Sequence, residues 1–196
     1  MRPNPDFGIY LHIPFCEKKC VYCDFYSLEN MEHKDLFVSI LKEEIIASAF
    51  HYAQHIRPAT SIFFGGGTPS LLKPEQIASI METLRMHLPI HEEAEITMEC
   101  NPGTITKDSL LGYKKAGINR LSFGIQSFNQ EELDFLHRIH SPEEGKEAVR
   151  LAREAGFDNI NIDIIFALPN QSIASWNATL EQALALKTEH ISAYSL

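Results

Sequence analysis

The chain has 196 residues, with 17 Lys and Arg against 26 Asp and Glu and a formal net charge of −9. That length is one domain with a sizeable core, burying roughly 70% of the unfolded chain's surface, and the hydrophobic and charged fractions of 44% and 22% are those of an ordinary globular protein. The acidic balance argues against a nucleic-acid surface or an anionic membrane as the main partner.

No segment approaches the roughly 20 apolar residues of a membrane span. The opening MRPNPDFGIY lacks the apolar core of a signal peptide. A cytoplasmic protein with reduced thiols is therefore expected.

In chain order, GIYLHI (8–13) is a short apolar run that predicts a buried strand. DLFVSILKEEIIASAFHYA (35–53) has apolar residues at helical spacing, with Asp35 in its first turn. TSIFFGGG (60–67) is a strand running into glycines, and KPEQIASIMETLRMHL (73–88) a helix with Pro74 suited to its first turn. AEITMEC (94–100) alternates as a strand does and stops at the turn signal NPG. TKDSLLGYKKAG (106–117) predicts a helix closed by Gly117, and NRLSFGIQ (119–126) a strand. Helices are expected over 129–139 and 141–156, opened by Asn129 and Ser141 as caps. FDNINIDIIFALP (157–169) holds a strand, 172–187 a helix and HISAYSL (190–196) a last strand.

Six β-then-α units result, the last without its helix. They predict a parallel sheet with helices outside, either an open doubly wound sheet or part of a (βα) barrel.

The unusual residues gather at one end of this pattern. Ligands in parallel βα folds bind at the carboxyl ends of the strands. CEKKCVYC (16–23) follows the first strand and GGGTPS (65–70) the second. Glu99 ends the third, Gln126 the fourth, and Asp163 lies in the fifth. Three cysteines in the spacing C-x3-C-x2-C suit zinc or an iron–sulfur cluster. A closed zinc site needs a fourth ligand of matching spacing. Cys100 stands alone at a strand end, and His12 and His33 are expected to be structural or solvated. Three thiolates on a cubane of four irons leave one iron open, which is what catalysis requires and a structural site avoids.

CEKKCVYC with FFGGGTPS resembles the radical S-adenosylmethionine (SAM) superfamily. The resemblance implies a [4Fe–4S] cluster on Cys16, Cys20 and Cys23. It also implies SAM on the fourth iron through its amino and carboxylate groups, and the glycine stretch holding the SAM amino group through backbone carbonyls. YLHIPFCEKKCVYCDFYS, GGGTPSLL, GIQSFN, LHRIHS and DIIFALPNQS together are similar to the coproporphyrinogen III dehydrogenase branch, which includes HemN-type oxidases and HemW-type haem chaperones. By that resemblance Tyr10, Tyr22, Gly66, Gly67, Thr68, Glu99, Gln126, Arg138 and Asp163 contact SAM, and the fold is a partial (βα)6 barrel.

HemN-type enzymes usually follow the third cysteine with Gly-Cys; here Asp24 and Phe25 stand there, the HemW-type pattern. Haem trafficking is thus favoured, with haem, a haem-acceptor protein and an electron donor such as flavodoxin or ferredoxin as expected partners. Oxidative decarboxylation of coproporphyrinogen III is the alternative, and a tRNA-modifying role fits the acidic charge least. Residues 1–196 are expected to form a radical SAM core domain, incomplete and without the C-terminal HemN/HemW domain. The HemW-type haem motif H-N-x-x-Y-W is not in this sequence.

Overall fold

A computed structural model describes residues 7–52 and 57–196. Six strands form one sheet: β1 (Gly8–Ile13), β2 (Ala59–Gly66), β3 (Ile90–Cys100), β4 (Arg120–Gln126), β5 (Ile160–Phe166) and β6 (His190–Ser195). Every neighbouring pair is parallel, and the spatial order is the chain order. A doubly wound sheet reverses its strand order at a switch point; this one never does, so the barrel alternative is the one realised. β1 and β6 are its two edges.

Six helices connect the strands: α1 (Lys34–Tyr52), α2 (Pro74–His87), α3 (Lys107–Ala116), α4 (Gln130–Phe135), α5 (Pro142–Glu154) and α6 (Ile173–Ala185). Local chemistry explains their ends. Pro74 and Pro142 sit in first turns, where a missing N–H costs nothing. Thr106 and Ser141 close capping boxes with Ser109 and Glu144, contacts that contribute about 1 kcal/mol each. Asn129 caps α4 as expected, and Gly117 ends α3 at φ 109°.

The expected helix over 129–139 is shorter. α4 stops at Phe135, His137 turns left-handed at φ 56°, and the Arg138 N–H returns to the Leu133 carbonyl at 2.9 Å. This C-terminal turn sends Arg138 back toward the sheet. Residue 53 of the first expected helix lies outside the described residues. β3 begins earlier than expected, at Ile90, because Ile90 pairs with Ala59 across a register shift.

Strand side chains alternate between two faces. Ile62, Phe64, Met98, Leu121, Phe123, Ile160 and Ile162 point outward under the helices and are fully buried with Ile77, Ile80, Met81, Leu84, Leu110 and Val149. Each such side chain contributes about 1.5–3 kcal/mol by leaving water. Cys100 belongs to this layer, 4% exposed, with its thiol directed to the Met98 carbonyl; burial pushes its thiol pKa up. It behaves as a small buried hydrophobe. Among the described residues, no helix is long and apolar enough to cross a membrane.

Candidate functional site

The inward face of the sheet is polar. Register places Glu99 beside Ser122, Ser122 beside Asn161, and Gly124 beside Asp163, which in turn neighbours Ser192. Above them the loops after the strands enclose a cavity of about 540 Å³. Cys16, Cys20, Tyr22, Cys23, Gly66, Gly67, Thr68, Glu99, Gln126, Arg138 and Asp163 all line it.

Tyr10 is the one expected contact that does not line the cavity. It sits on β1, 54% exposed, stacked on Phe63 and hydrogen-bonded through Oη to His12 Nδ1 at 3.2 Å. The other His12 nitrogen meets the Tyr26 carbonyl at 2.8 Å. His12 therefore ties β1 to the cysteine loop, a structural task.

That loop is closed at its neck. Cys16 N–H donates to Leu28 O at 3.0 Å and Leu28 N–H to Pro14 O at 2.6 Å. Within it, Cys23 N–H bonds Cys20 O at 3.2 Å. Tyr22 leaves the loop to pack on Leu136, Ile165 and Leu168, a small apolar cluster that joins the end of α4 to the end of β5. Burial raises its phenol pKa.

The glycines earn their places sterically. Gly66 has φ 112°, and a Cβ there would stand 2.6 Å from the His12 ring. A Cβ on Gly67 would stand 2.6 Å from Phe15 O. Without side chains, this segment lies directly on the base of the cysteine loop: Gly67 N–H bonds Ile13 O at 2.8 Å and Thr68 N–H bonds Phe15 O at 2.7 Å. Thr68 Oγ1 donates to Cys16 Sγ at 3.7 Å.

Two carboxylates sit deeper. Glu99 accepts from Gly66 N–H at 3.2 Å. Burial first, and Asp163 second, push its pKa up to about 7 against the opposing pull of the Gly66 N–H. Asp163 accepts from Ser122 Oγ at 3.2 Å and Asn161 Nδ2 at 2.8 Å, while Ser192 Oγ holds Asn161 Oδ1 at 3.0 Å. Burial raises the Asp163 pKa despite those donors. A buried pair of acids held by N–H and O–H donors leaves acceptor capacity that suits a ligand carrying N–H and O–H groups.

Asn161, Ser122 and Ser192 escaped the sequence reading. Their signal was a period-2 polar pattern inside apolar strands, Ser122–Gly124–Gln126 and Asn161–Asp163. His140 is buried, with Nε2 facing Ile125 O at 3.1 Å. Burial foremost, and Arg138 next, lower its pKa to about 4.

All four thiols are unpaired. Among the described residues no three His, Cys, Asp or Glu side chains converge tightly enough to hold a single metal ion. A cubane cluster asks for something else, thiolates spread around a volume with each on its own iron; Cys16, Cys20 and Cys23, free and on the wall of one cavity, fit that donor set, while Cys100 borders the same cavity from the buried strand layer.

The chain is 42% identical to "Heme chaperone HemW" of Escherichia coli over 98% of its own length and 51% of that protein. It is 40% identical to the Haemophilus influenzae protein of the same name, over 100% and 52%. Among solved structures it matches "Coproporphyrinogen III oxidase (HemN) from Escherichia coli is a Radical SAM enzyme" with a TM-score of 0.88 and 34% identity, covering 97% of this chain and 44% of that one. The chain thus spans about half the length of the curated relatives it matches. With the radical SAM superfamily matched across residues 10–183, from β1 into α6, and its three cysteines gathered on one cavity, the chain belongs to that superfamily.

Proposed function

We propose that residues 1–196 form the radical SAM core domain of a haem-handling protein of the HemW kind. In this reading the protein binds haem and delivers it to an acceptor protein. The observation that carries it is the likeness to HemW proteins along nearly the whole chain. The Asp24–Phe25 continuation after Cys23 supports the same choice.

Superfamily membership implies a [4Fe–4S] cluster and SAM. Cys16, Cys20 and Cys23 would hold the cluster, whose chemistry when bound is one-electron transfer at low potential. The chain's own residues do the rest. Gly66 and Gly67 let backbone approach the ligand. Glu99 would offer a carboxylate to the N–H groups of the SAM amine, and Asp163 and Gln126 would offer acceptors to hydroxyls. The helices and the Tyr22 cluster exclude water from the sides.

A porphyrinogen-oxidising enzyme is the second reading, favoured by the likeness to the HemN structure. Anaerobic reconstitution is expected to give about four iron and four sulfide per chain, abolished by Cys20→Ser. The whole protein is then expected to bind haem and pass it to an apo-acceptor. Stoichiometric zinc with no brown chromophore sinks both readings. Conversion of coproporphyrinogen III in the presence of SAM and reductant, without haem transfer, selects the second.

A further inference from the structure

Arg138 is 118 residues from Cys20 in sequence, yet its Nη1 donates to Cys20 Sγ at 3.4 Å. Its Nη2 donates to Gly124 O at 2.6 Å. The guanidinium is thus held at two points, one on β4 and one on the cysteine loop. Room for it exists because residue 124 has no side chain: a Cβ there would stand 3.2 Å from Nη2. The turn carrying it is fixed on both sides, by the left-handed His137 and by the buried His140 on Ile125 O. Arg138 Nε is buried with no hydrogen-bond partner. A permanent positive charge is therefore built into hydrogen-bond reach of one of the three loop thiols.

We propose that Arg138 is a positioning residue that raises the reduction potential of the cluster on Cys16, Cys20 and Cys23 by hydrogen-bonding the Cys20 sulfur. The inference rests on the cluster assignment in the proposed function. Reduction from [4Fe–4S]2+ to [4Fe–4S]1+ takes one electron from a donor of the ferredoxin or flavodoxin class. No bond forms or breaks and no proton is needed. The reduced cluster carries one more negative charge. A charged N–H donor draws density from the thiolate and stabilises that state more than the oxidised one. This effect operates without SAM, whereas a contact made only to SAM operates only with it.

The test is an EPR-monitored redox titration of the whole reconstituted protein, with and without SAM, using dithionite as reductant. Wild type, Arg138→Gln and Arg138→Lys are compared, with iron and sulfide content as the check on cluster integrity. Without SAM, Arg138→Gln is expected to lower the reduced-to-oxidised ratio at fixed potential about tenfold, a downward shift of about 59 mV for a one-electron couple. Arg138→Lys keeps the charge but loses the fork and is expected to shift less, in the same direction. It carries the comparison if the Gln variant holds no cluster. Equal SAM-free potentials overturn the inference, as does a difference seen only with SAM. A wild-type protein that holds no cluster overturns the cluster assignment and this inference together.

Discussion

The two faces of the sheet are made by the same strands and obey opposite rules. Outward, Phe64, Met98, Leu121 and Ile160 stand in register and are fully buried under helices. Inward, the adjacent residues are Thr97, Glu99, Ser122, Asn161 and Asp163. Ordinary parallel barrels fill their interior with branched apolar side chains. Here stability comes from the helix-facing layer, and the inner face is left to polar chemistry at a cost in burial.

The contrast is broken most severely from outside. Phe123→Ala removes a fully buried ring beneath the helices and is expected to cost roughly 3–5 kcal/mol, read by denaturant unfolding. Cluster content of whatever protein remains folded is expected to be unchanged. An equal loss of cluster at low denaturant would mean the faces are not independent.

Glu99 sharpens the comparison from inside. Its folded pKa of about 7 lies above the ordinary 4.5, so the ionised form is disfavoured in the fold. The protein without ligand has its full stability below pH 4.5 and loses it as pH rises through 7, by up to roughly 3 kcal/mol. Glu99→Gln is expected to flatten that dependence in urea midpoints taken from pH 4.5 to 8. An unchanged slope in the variant would assign it to other groups. A ligand that donates N–H groups to the carboxylate offsets the penalty by stabilising its ionised form, so SAM affinity is expected to rise with pH through the same window.

The smallest expected effect is Asn161→Ala, which strips one donor from Asp163 and leaves Ser122 and Ser192 without their Asn161 contacts. A loss of about 1–3 kcal/mol is expected, with SAM affinity weakened alongside, read by unfolding and calorimetry on the same sample.

Much of this was legible in the sequence, and unevenly. Six strands and the position of the glycine and acidic residues at strand ends follow from periodicity and turn signals. The inner network did not, because Ser122 and Asn161 read as ordinary strand residues until register sets them beside Asp163. The end of α4 did not either. LDFLHRI continues a helical pattern, and only tertiary demand, Leu136 packing with Tyr22 while Arg138 turns toward β4, ends the helix. Arg138 itself was marked by its motif, but its contact to Cys20 is a relation across 118 residues that no local pattern encodes.

The neck of the cysteine loop has a consequence for metal affinity. Two backbone bonds between Pro14, Cys16 and Leu28 close the loop through main-chain atoms, independently of its thiols. The chain entropy lost in closing it, which grows with the logarithm of loop length, is met by strand-like pairing and by the anchored tyrosine. Metal affinity is then expected to depend on the neck as well as on the thiols, since bonds that hold the loop closed reduce the share of the binding free energy spent on folding the peptide.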